Sequence, residues 1–166
     1  MFDGTVLMAP ALSLSAEAAP KFSTYSLLAS LFGWAIPNSY KVTNMKYEDN
    51  CRNANYGEYC ANDEHYLKEG VKFGTIVALK EFMGYSRETF PEYDRPFMVV
   101  HGGCDKIIDP QIAFDLYSMS KTPEEEKEIL FYERMFHDVW HEPEIEEIQE
   151  KVADWILSRA SSFKNK

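Results

Sequence analysis

Pro96-Phe-Met-Val-Val-His-Gly-Gly-Cys-Asp-Lys-Ile-Ile-Asp-Pro110 constrains the fold more than any other stretch of the chain. Its four consecutive apolar residues, Phe97 to Val100, are too few for a helix and suit a strand buried on both faces, as in a parallel sheet. Gly102 and Gly103 then permit a tight turn, and Asp109 before Pro110 reads as the N-cap and first residue of a helix. Asp105 therefore falls on a turn at the carboxyl end of a buried strand, where open α/β sheets place their chemistry.

About thirty residues later the pattern repeats. Glu128-Ile-Leu-Phe-Tyr-Glu133 is a second apolar run, followed by Met135-Phe-His-Asp138 and another helix signal. Two parallel strands joined through a helix would set Asp105 and His137 side by side at one sheet edge. An aspartate that fixes a histidine's tautomer and stabilises its cation is two thirds of a nucleophilic triad.

The residues His101-Gly-Gly-Cys-Asp105-Lys, then Phe136-His137-Asp-Val-Trp-His-Glu-Pro143, then a closing amphipathic helix with Asp154-Trp155, resemble the C-terminal half of an α/β-hydrolase of the monoacylglycerol lipase and serine aminopeptidase-like group. The opening Phe2-Asp-Gly-Thr-Val-Leu-Met-Ala-Pro10 is similar to the strand after the nucleophile's helix in that family. The resemblance implies an α/β chain with a partial α/β-hydrolase fold: the last three parallel strands with flanking helices and an inserted helical cap. It also implies Asp105 as triad acid and His137 as triad base, with a small lipid or ester as substrate of the complete protein.

The family's nucleophile is another matter. Its elbow is G-x-S-x-G, because glycines allow the strained turn that lifts the serine into the site. Gly70 and Gly74 have the spacing but enclose Lys72, and Gly84-Tyr85-Ser86-Arg87-Glu88 ends in glutamate. In these hydrolases the serine precedes the acid, so the expectation is that this chain starts after the nucleophile, with Met1 an internal methionine. At 166 residues it is also shorter than the roughly 200 to 250 of large single α/β domains. Two expectations follow: the acid, histidine and cap half of a lipase or esterase, inactive as it stands, or a naturally shortened, non-catalytic protein that binds a partner through an open sheet edge.

Charge and cysteine usage narrow the partners. A net charge of −10 without a local basic patch argues against nucleic acid, whose phosphates need clustered Lys and Arg. Cys51, Cys60 and Cys104 lack short metal-type spacing and are odd in number, which favours a reduced compartment. No charged, apolar leader opens the chain, and no run reaches the eighteen or so apolar residues of a membrane span. The expected setting is cytoplasmic or peripheral to membranes, and no cofactor or metal is expected.

Along the chain, Thr5 to Ala9 reads as a short buried strand ended by Pro10. Residues 12–89 are too long to be a loop and read equally as a helical hairpin filling the core or as a cap; the resemblance implies 1–11 and 90–166 as the core and 12–89 as the inserted cap. Within it, Lys21 to Phe32 has helical spacing, Tyr40 to Tyr59 reads as irregular and exposed, and Phe73, Ile76, Leu79 and Met83 mark a helix ended by Gly84. A helix from Pro110 to about Met119, a strand at Ile129 and a last helix opening at Pro143 complete the order. That last helix puts Ile145, Ile148, Val152, Trp155 and Ile156 on one stripe, with glutamates in its first turns where the dipole favours them.

Competing assignments are weaker. Asp109 is explained as a cap, and His65 and His141 as surface residues. His101-Gly102-Gly103 looks like an oxyanion loop but has no elbow downstream of it. A metal site from His101, Asp105, His137 and His141 lacks the helical or Cys-x-x-Cys spacing such sites use.

Overall fold

The computed structural model describes residues 3–18, 46–66 and 71–163, together with Leu27. Apart from Leu27, the helix expected over Lys21 to Phe32 lies outside the described residues. Three strands form one parallel sheet in the order β1 (Thr5–Met8), β2 (Phe97–Gly102), β3 (Lys127–Tyr132), with Thr5 opposite Phe97 and Phe97 opposite Lys127. Helices α1 (Tyr47–Asn50), α2 (Tyr56–Asn62) and α3 (Phe73–Thr89) lie between β1 and β2; α4 (Gln111–Met119) joins β2 to β3, and α5 (Ile145–Phe163) closes the order.

The central strand explains the two layers. Successive side chains on a strand point to opposite faces, so Phe97 and Val99 pack with Ile108, Ile112, Ala113 and Leu116 on the α4 side. Met98 and Val100 pack with Met135, Val139, Ile148, Val152 and Trp155 on the α5 side. All four are essentially without solvent exposure, and burying each contributes about 1.5–3 kcal/mol. An uninterrupted apolar run therefore becomes the middle strand of a sheet covered on both sides.

β1 differs from the expectation. It is half-buried along its whole length because, among the described residues, only its β2 edge is paired. It stops at Met8, since Ala9 turns left-handed at φ 39° while its N–H still reaches the Val100 carbonyl at 2.9 Å.

Three further readings need correcting. The described part of Tyr40 to Tyr59 is irregular and exposed only in part, around Asn53 to Asn55: α1 and α2 enclose a small core of Cys51, Tyr56 and Cys60. α3 continues past Gly84 to Thr89, because that glycine sits on the open side of the helix with nothing within 4 Å. Such a glycine costs about 1 kcal/mol relative to alanine without breaking the helix. On α5, Ile148, Val152 and Trp155 are buried as expected, yet Ile156 is 49% exposed, since Met98 and Val100 of β2 with Met135 and Val139 cover only a narrow stripe. Among the described residues no helix is long and apolar enough to cross a membrane.

Candidate functional site

Both chemistry-bearing turns lie at the carboxyl ends of their strands. β2 ends at Gly102 and its turn brings up Asp105; β3 ends at Tyr132 and its turn brings up His137. The two turns are tied by backbone bonds, Gly103 N–H to Tyr132 O and Cys104 N–H to Met135 O, each 2.9 Å. Gly102 is glycine because of this approach: a Cβ there would stand 2.3 Å from the Met135 carbonyl oxygen and 2.4 Å from that of Phe136. The need is closeness of another backbone as much as tightness of its own turn.

His137 Nδ1 lies 2.8 Å from Asp105 Oδ2. Asp105 is 5% exposed, and its other oxygen accepts the N–H groups of Ile107 at 2.8 Å and Ile108 at 2.9 Å. Burial alone would raise this carboxyl, but contact with His101 and His137 and the backbone N–H of Ile108 outweighs it and holds the group well below the ordinary carboxylate range. Asp105 is thus an anion with acceptor capacity only, so the His137 Nδ1 that faces it is the donor. The His137 side chain remains 28% exposed, and Nε2 is the ring nitrogen that Asp105 does not engage.

The competing residues sort differently. Asp109 Oδ1 accepts the Gln111 N–H at 3.0 Å and serves the start of α4. His65 is exposed beside Glu64. His141 faces Asp138, 3.0 Å away, and packs at a tilt against the rings of Tyr56 and Tyr59. His101 is completely buried within β2, with Nε2 3.3 Å from Asp105 Oδ2 but outside hydrogen-bond geometry. It is a strand residue under the aspartate and no part of a loop that could face an oxyanion.

Residues that sequence reasoning did not single out surround this pair. Lys106 Nζ meets Asp49 at 2.7 Å, and Ser15 binds the Lys106 carbonyl through its hydroxyl and the Ile107 carbonyl through its N–H. On the histidine side, Tyr56 OH donates to Asp138 at 2.7 Å; burial first, and then that carboxylate, push the phenol far above its usual range. Glu142 is 1% exposed and accepts from Arg52. No local signal marks these residues, since each partner is remote in sequence.

With this geometry in hand, the comparisons are specific. The family described as serine aminopeptidase, S33, matches residues 1–144. The chain belongs to that family. Its members and structural neighbours are α/β-hydrolases, and this member carries a partial α/β-hydrolase fold of three parallel strands flanked by helices. It is similar to an uncharacterized abhydrolase domain-containing protein of Dictyostelium discoideum, 26% identical over 96% of this chain and 16% of that protein. It is likewise similar to monoglyceride lipase of Rattus norvegicus, 24% identical over 95% of this chain and 51% of the lipase. The crystal structure of Paleococcus ferrophilus monoacylglycerol lipase superposes with a TM-score of 0.84 at 19% identity, covering 95% of this chain and 60% of that one. This S33 chain therefore spans about half the length of the curated lipases it matches, and a smaller share of the Dictyostelium protein.

Proposed function

We propose that this chain supplies the acid and histidine half of a serine hydrolase site for monoacylglycerol-like esters, with Asp105 orienting His137. The observation that carries the reading is the 2.8 Å contact from His137 Nδ1 to a buried, ionised Asp105 at the ends of adjacent parallel strands. In that role His137 Nε2 takes the proton of a serine hydroxyl as it attacks the ester carbonyl. It then returns the proton to the departing alcohol, while Asp105 stabilises the intervening imidazolium. The serine is not provided by any G-x-S-x-G in this sequence.

The names of the lipase relatives support a lipid ester as substrate. Residues 12–89 act as the cap in this reading; their described part lies against both catalytic turns, through Ser15 and Asp49 on the acid side and Tyr56 on the histidine side.

Joining a homologous first half, with its elbow serine and oxyanion loop, ahead of Met1 tests the proposal. The joined protein should hydrolyse monoacylglycerol esters, while the 166 residues alone should show no ester hydrolysis and no labelling by a serine-directed phosphonate. A silent joined protein, or stoichiometric labelling of a serine in the chain alone, would refute it.

A second reading, binding of a partner strand, is favoured by one observation: β1 is only half-buried and, among the described residues, unpaired on its outer edge. Unpaired apolar edges are templates for association. Sedimentation should then show an oligomer or a complex, and a stable monomer with cooperative unfolding would exclude that reading.

A further inference from the structure

Beyond its backbone bonds to the turn after β2, the turn bearing His137 is held by residues from far upstream. The Asn50 carbonyl accepts the Asp138 N–H at 2.7 Å, and the Cys51 thiol donates to the His141 carbonyl at 3.1 Å. At the centre is Glu142, whose side chain has no solvent exposure. Its Oε1 accepts the backbone N–H of Phe136 at 3.2 Å and of Arg52 at 3.0 Å, and its Oε2 accepts Arg52 Nε at 2.5 Å. The same guanidinium also holds Glu144. One carboxylate thus joins both ends of the histidine turn, residues 136 and 142, to residue 52.

We propose that Arg52 and Glu142 are a positioning pair that sets the distance between His137 and Asp105, making the segment around α1 and α2 a fixed buttress and not an opening lid. The proposal rests on reading Asp105 and His137 as the working pair. Its physical basis is the cost of an uncompensated buried charge. Without Arg52 the Glu142 carboxylate keeps only backbone donors and is driven toward water. Moving it releases the Phe136 N–H, and His137 is the next residue. Arg52 itself is only partly covered, so solvent can take it once the pair is broken. A segment that swung away here would draw the histidine turn with it, so residues 50–56 stay in place while ester enters elsewhere.

The test reads the histidine and not the turnover. In the ¹⁵N-labelled 166-residue chain, long-range proton–nitrogen spectra should show His137 as a single Nδ1–H tautomer, assigned with His137→Gln. Arg52→Gln should at least halve that resonance through tautomer mixing and fast proton exchange. Arg52→Gln/Glu142→Gln should restore most of it, because an amide at 142 still accepts from Phe136 and no buried charge remains. An Arg52→Gln spectrum like wild type, or a double variant no better than the single, overturns the proposal. Unfolding of both variants also overturns it, by assigning the pair to folding alone. If Arg52→Gln unfolds but the double variant folds with the resonance restored, the proposal holds. A joined protein that hydrolyses no ester would sink the hydrolase reading and leave the tautomer result standing. An active one with an unchanged tautomer in Arg52→Gln would sink only this proposal.

Discussion

Gly102→Ala puts the packing of the two turns to the test. Real Cβ atoms essentially never come within 3.0 Å of another heavy atom, whereas an alanine Cβ here would stand 2.3 Å from the Met135 carbonyl oxygen. That oxygen must retreat by roughly 0.7 Å, and it is not free to do so cheaply: the Cys104 N–H holds it at 2.9 Å. Overpacking against backbone costs about 2–3 kcal/mol, toward the upper end of the usual range. For a chain of this size each kcal/mol moves the melting midpoint by about 2–4 °C, so the expected drop is about 4–12 °C. The same retreat carries residues 135 to 137 outward, and the 2.8 Å His137 to Asp105 contact opens toward about 3.5 Å, beyond good hydrogen-bond range. Thermal unfolding by circular dichroism and the His137 nitrogen spectrum measure the two consequences separately. A midpoint within about 1 °C of wild type with an unchanged tautomer would refute the reasoning.

Three other outcomes are expected. In the joined protein, Asp105→Asn should lower the turnover rate by about ten-thousandfold through the wrong tautomer. Asp109→Asn should change it little, because asparagine caps a helix as well as aspartate does; steady-state kinetics showing the reverse order would exchange the two roles. Since the folded-state pKa of Asp105 is depressed, its stabilising contribution is fully present above the ordinary carboxylate value of about 3.9 and is lost as pH falls through the lower folded value. The gap in urea midpoint between wild type and Asp105→Asn should therefore be wide above about pH 5 and shrink below about pH 4; a gap that grows with acid would contradict the assignment. Finally, burial pushes the Cys51 thiol up to about 11, Cys60 is buried and Cys104 exposed, so native protein at pH 8 should alkylate first at Cys104. Rapid labelling of Cys51 or Cys60 without unfolding, seen by peptide mass mapping, would mean that the α1–α2 core is looser than described.

What the sequence determined by itself is the set of features written in neighbouring residues. The apolar run Phe97 to Val100 is a strand buried on both faces, Asp109 before Pro110 opens α4, and Ile148, Val152 and Trp155 recur at helical spacing. The parallel pairing of β2 with β3 then follows from the intervening helix, and it brings Asp105 to His137. Only tertiary structure decided the rest. Arg52 and Glu142 meet across ninety residues, so neither carries a local mark of being paired or buried. The polar stretch near Tyr47 to Asn62 forms helices because its aromatic and sulfur groups pack on one another and on the histidine turn, a partner that local periodicity does not describe. Ile156 lies exposed and Gly84 lies within a helix for the same reason: burial and helix length depend on what the rest of the chain places opposite them. Propensity and spacing are properties of a segment alone, whereas closeness between segments is set by the whole packed sheet.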